Sequence, residues 1–141
     1  VKTGIYKNID KVFSGPEGAL NTLLSVRMNY DEYIKEVEKL SDDEVVARLR
    51  KHLSEWKQDD CDVIELAGSI ERWFGNSWIE NEETHNHLYG LWSKFKKEAI
   101  EEIGGMTMNE RLHWFGLFER YESLQSEVAK KVIYAKLCAN T

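Results

Sequence analysis

Only one proline, Pro16, occurs in 141 residues, so no later helix is broken by a missing backbone N–H. Two cysteines, Cys61 and Cys138, stand far apart in the chain with no second cysteine near either. That excludes a Cys-x-x-Cys redox pair and a thiolate zinc site, and a domain of this length folds without disulfide staples. The pair reads as reduced thiols, which points to the cytoplasm. No apolar run reaches the roughly 18 to 20 residues needed to cross a bilayer, and Val1-Lys2-Thr3-Gly4 lacks the apolar stretch of a signal peptide. A glycine-rich phosphate loop is missing too, since Gly104-Gly105 ends a helical pattern instead of following a strand. No serine sits in a nucleophile elbow. Concentrated basic charge is absent: Lys94-Phe95-Lys96-Lys97 is followed by Glu98, Glu101 and Glu102, which gives i,i+4 pairing along a helix face. Direct nucleic-acid binding and adhesion to an anionic membrane are therefore not expected.

What is present is helical periodicity. A helix over about 16–27 is expected after Ser14-Gly15-Pro16, because proline is tolerated in a first turn. Asp31 is placed as the cap of the next, with Tyr33, Ile34, Val37 and Leu40 on one stripe. Ser41-Asp42-Asp43-Glu44 has the spacing of a capping box and opens a helix lined by Val45, Val46, Leu49, Leu53 and Trp56. Asp59 or Asp60 can cap a fourth helix through Val63, Ile64, Ala67, Ile70 and Phe74, with Gly75 as its left-handed stop. Asn81 precedes a long helix through Leu88, Trp92, Phe95, Ala99 and Ile103. Thr107-Met108-Asn109-Glu110 is a second capping box, opening a helix to Gly116. Ser126 restarts the pattern at Val128, Val132, Ala135 and Leu137. No heptad persists beyond three turns, and no repeat of solenoid length occurs. The expectation is an all-α fold, a compact bundle of six or seven short amphipathic helices forming a single domain over 1–141, with 1–13 as an irregular arm.

The best candidate for chemistry is Glu80-Asn81-Glu82-Glu83-Thr84-His85-Asn86-His87. On a helix Glu82 and His85 are i,i+3 neighbours and Glu83 and His87 are i,i+4 neighbours, so Glu82, His85 and His87 form the alternative reading of the chain as a small metal-binding protein or metalloenzyme. A second Glu-x-x-His runs from Glu110 to His113, and two such motifs occur in di-iron bundles. Both motifs, however, begin in first turns, where acids complement the helix dipole and need no metal. The favoured expectation is a chain without catalytic residues, cofactor or metal, and with no small-molecule ligand.

Charge is unevenly spread. Residues 31–65 hold 12 of the 25 acids against 6 Lys and Arg, a balance of −6 that equals the net charge of the whole chain. Acids concentrated in one stretch suggest a surface that meets a basic partner. Five tryptophans add anchors, and Trp73-Phe74-Gly75-Asn76-Ser77-Trp78 and Trp114-Phe115-Gly116-Leu117-Phe118 cannot all face inward. Asp31, Glu32, Asp42, Asp43, Glu44, Asp59, Asp60, Asp62 and Trp78 are the candidate partner-binding residues.

Gly105-Met106-Thr107-Met108-Asn109-Glu110-Arg111-Leu112, followed by Gly116-Leu117-Phe118-Glu119-Arg120-Tyr121, resembles a segment near the C-terminus of many small bacterial proteins. The chain is similar in general character to small acidic immunity proteins of contact-dependent inhibition and related toxin–immunity systems. That resemblance implies a bacterial source and a non-catalytic role. With the acids of residues 31–65 it gives the expectation of an immunity protein or inhibitor that occludes the basic active site of a toxin partner, most concretely a nuclease acting on RNA. The resemblance carries no binding residues across, because Thr107 and Glu110 already have a capping role.

Overall fold

The computed structural model describes residues 27–40 and 43–140. Among the described residues there are helices and no strand: α1 (Tyr30–Leu40), α2 (Glu44–Trp56), α3 (Val63–Asn76), α4 (Glu82–Phe95), α5 (Met108–Phe115), α6 (Phe118–Glu122) and α7 (Glu127–Lys136). The fold is all-α. The expected helix over 16–27 and the arm over 1–13 lie outside the described residues. No described helix is long and apolar enough to cross a membrane.

Side-chain caps set the helix starts. α1 begins where the Glu32 N–H donates to Asn29 Oδ1 and the Asn29 N–H donates to Glu32 Oε1, both at 2.9 Å. Asn29 is thus the cap, and Asp31, expected there, sits inside the first turn. At α2 the capping oxygen is Asp43 Oδ1, which accepts from the Val45 N–H at 2.8 Å, so Glu44 is the first helical residue. Ser41 and Asp42, in the box expected there, lie outside the described residues. At α3 the box belongs to Asp62 and Glu65, with both bonds at 2.8 Å, while Asp59 and Asp60 stay in the preceding turn. Gly75 does not end α3, which runs on to Asn76.

The remaining caps match the sequence. Asn81 accepts from the Thr84 N–H at 3.0 Å, and Ser126 from the Ala129 N–H at 3.1 Å. Thr107 and Glu110 close their box at 2.7 and 3.1 Å, and the Thr107 N–H holds the Glu110 carboxyl below the usual carboxylate range. α4 widens into a π-helical stretch, Lys96–Ile100, before a 3-10 turn at Ile103–Gly105. α5 stops at Gly116, whose left-handed φ of 68° suits glycine.

α1 packs across α2 and α4, and its buried stripe of Tyr30, Tyr33, Ile34 and Val37 supplies the centre of the core. Tyr30 meets the edge of Trp56 at 5.2 Å, and Tyr33 stacks on Phe95 at 5.2 Å with the rings 6° apart. Phe115 brings α5 onto Trp56 and Phe95 at 6.1 and 5.7 Å. Aromatic pairs at these separations add to the area they bury. α7 differs from its sequence reading. Ile133, Lys136 and Leu137 are the buried positions, whereas Val128 is 77% exposed and Val132 and Ala135 also face solvent.

Candidate protein-docking site

The acids of residues 31–65 are divided among several structural tasks. Asp31 pairs with Lys57 at 2.7 Å, Asp59 with Lys136 at 3.0 Å, and Asp60 with Arg120 at 2.8 Å. The turn between α2 and α3 therefore gathers three acids with three bases. Arg120 also donates to the carbonyls of Lys57 and Asp59 at 2.9 and 2.7 Å. Lys136, almost fully buried, lies 3.8 Å from the centre of the Trp56 ring and donates to the carbonyls of Trp56, Asp59 and Cys61. Burial pushes its ammonium below the usual lysine value.

Glu32, Asp43 and Asp62 are spent on caps, and Glu44 lies 3.9 Å from Arg48. The 13 residues of α2 separate Asp43 and Glu44 from Asp59, Asp60 and Asp62 by about 20 Å. Asp42 lies outside the described residues. The structure thus does not bring the expected acids onto one anionic face: several are spent on caps and pairs, and Arg120 and Lys136, from outside the stretch, meet two of them.

Trp78, the remaining candidate, is 79% exposed. It stands on the connection between α3 and α4, beside a cleft of about 520 Å³ lined by Ser77, Trp78, Glu80, Glu82, His85 and Asn86, with the buried Ile79 behind. The helices on either side of the connection are packed together. Phe74, near the end of α3, meets His85 and Tyr89 of α4 edge-on at 5.9 and 5.2 Å and Trp73 at 5.0 Å. From Gly75 to Ser93 the chain holds Glu80, Glu82 and Glu83 and no Lys or Arg. None of the three makes an ion pair among the described residues. Glu80, Glu83 and Asn86 escape the sequence reading of a docking surface, although the lack of a base over nineteen positions was a legible signal.

The same cleft corrects the metal alternative. Among the described residues no three His, Cys, Asp or Glu could together hold a metal ion. His85 turns its ring toward Phe74, and His87, two residues on, is about 200° further round the helix, so the two imidazoles do not converge. Of the three, Glu82 and His85 line the cleft.

A second cleft, about 420 Å³, opens between α2 and α3 and contains a serine–histidine contact, His52 Nε2 to Ser69 Oγ at 2.6 Å. The Leu66 carbonyl, 2.8 Å from Ser69 Oγ, competes with the imidazole for the one hydroxyl proton, and the His52 tautomer sets the direction of the contact. Cys61, on the rim, is free and exposed, and the neighbouring Asp59 carboxylate raises its thiol. Burial raises the thiol of Cys138 as well, so neither cysteine is an activated nucleophile.

Compared with known proteins, the chain matches no family model, no curated protein and no solved structure.

Proposed function

We propose that the chain is a non-catalytic inhibitor of immunity type, which docks on the basic surface of a partner toxin, most concretely a nuclease acting on RNA. The docking face in this reading is the α3–α4 connection, not the acids of residues 31–65. The observation that carries it is the exposed Trp78 beside Glu80 and Glu82, which with Glu83 make no ion pair among the described residues. A large ring has few torsions to freeze on binding, and exposed carboxylates steer a basic partner before contact. Inhibition would be occlusion, with carboxylates standing where substrate phosphates otherwise lie. Association should then weaken as ionic strength rises past the screening length of about 10 Å at 0.1 M.

The test is protection. The chain is co-expressed with a basic nuclease encoded beside its gene, and survival is scored for wild type, Trp78→Ala and the triple variant Glu80→Lys, Glu82→Lys, Glu83→Lys. Protection by wild type, lost in both variants, supports the reading. Failure of wild type to protect, or full protection by both variants, overturns it.

A further inference from the structure

We infer that the cleft beside Trp78 is a pocket for an arginine side chain presented by the protein partner, a statement that rests on the docking reading above and names what the face grips. The chain itself shows how its tryptophans pair. Trp114 carries the Arg27 guanidinium 4.6 Å from its ring centre, and Trp56 carries the Lys136 ammonium at 3.8 Å. Trp92 donates its indole N–H to Glu71 at 2.7 Å, and Trp73 packs edge-on against Phe74. Trp78 has the ring and the neighbouring acids of such a site, and among the described residues no cation lies on it.

A cation over an indole face is drawn by the ring quadrupole, and more strongly when carboxylates flank it. Glu80 and Glu82 line the cleft, and the Asn86 side-chain oxygen is a further acceptor. The N-terminus of α4 adds a positive half-charge of about +0.5, which three carboxylates outweigh, so the field at the cleft stays negative. Arginine fits better than lysine. Its flat guanidinium lies on the indole while its fork of N–H donors reaches carboxylate oxygens in the same plane, whereas an ammonium is a strongly hydrated point charge. The cleft between α2 and α3 provides an internal control: its rim holds Arg72, and its acids Asp59 and Glu65 are already engaged with Lys136 and the α3 cap.

The experiment is a nitrogen–proton NMR titration of the whole chain with N-acetyl-arginine N-methylamide, its lysine counterpart and the neutral citrulline counterpart. The arginine probe should shift the Trp78 indole signal and the Glu82, His85 and Asn86 amides saturably, leaving Ser69 unmoved. Lysine should bind about threefold more weakly, and Glu80→Gln with Glu82→Gln should weaken arginine roughly tenfold. Citrulline shifts as large as those of arginine, or arginine shifts spread evenly over exposed acids, overturn the pocket. The outcomes separate the two proposals. Arginine binding at Trp78 combined with full protection by both Trp78→Ala and the triple glutamate variant leaves the pocket standing and overturns the docking reading. Lost protection in Trp78→Ala without arginine binding keeps the docking face and overturns the pocket.

Discussion

Lys136 shows how one residue can hold distant parts of a small helical protein together. Its ammonium meets the Asp59 carboxylate and the carbonyls of Trp56, Asp59 and Cys61 past the end of α2, the Asp59 carbonyl being shared with Arg120, and it does so almost fully buried. Lys136→Met keeps the stem and removes the donor, leaving buried carbonyls unsatisfied, so urea unfolding should show a loss of about 3 kcal/mol. Tyr30 and Tyr33 give a pH dependence of known sign. Burial raises both phenols well above the ordinary value, and the Tyr33 hydroxyl has no hydrogen-bond partner. Above about pH 10 the unfolded chain releases these two protons while the folded chain keeps them, so stability falls as pH rises. Absorbance at alkaline pH should therefore show two of the six tyrosines ionising only as the protein unfolds. Lys136 has the opposite sign, since its depressed value favours the folded state as pH climbs toward the ordinary lysine range, and it offsets part of that fall.

Among the elements, the segment from Met106 to Gly116 is the most completely explained. Thr107 and Glu110 start α5, and Arg111 donates to the carbonyls of Met106, Leu137 and Cys138 at 3.2, 3.2 and 2.7 Å. Leu112 is core, and Gly116 turns where a side chain would strike Asp31 Oδ2 at 2.7 Å. Gly116→Ala should cost about 2 kcal/mol in a denaturant melt, and less in an Asp31→Ala background, where only the left-handed φ remains. α7 gives a contrasting pair: Ile133→Ala should lose about 2 to 4 kcal/mol, Val128→Ser less than about 0.5. Helix existence was legible because apolar residues recur at 3 and 4. Helix starts were less so, because Asp59, Asp60 and Asp62, or Asn29 and Asp31, are chemically equal caps in sequence and only tertiary position chooses. The face of α7 was read correctly at Leu137 but not at Val128, Val132 and Ala135, because a lysine counts as outward until its acceptors, 75 to 80 residues earlier, are known.

For the whole molecule, charge per stretch of chain proved a poor guide to charge per area of surface. The acids of residues 31–65 looked like one face, yet Arg120 and Lys136 return from the C-terminal third to meet two of them. The smaller run from Gly75 to Ser93 stays unopposed because no basic residue folds back onto it among the described residues. Reversal of Asp43 and Glu44 to Lys should therefore leave the association rate with a basic partner nearly unchanged, while reversal of Glu80, Glu82 and Glu83 slows it, as stopped-flow mixing at low salt would measure.

The clasp between Lys136 and the end of α2 has a consequence for biosynthesis. A nascent chain in which α7 has not yet emerged leaves the Trp56 ring without its cation and the Trp56 carbonyl without its donor, so this corner of the core closes late in synthesis. The same dependence makes the approach to α7 a sensitive point for proteolysis: a nick between Glu122 and Glu127 would cut Lys136 loose from the turn it secures.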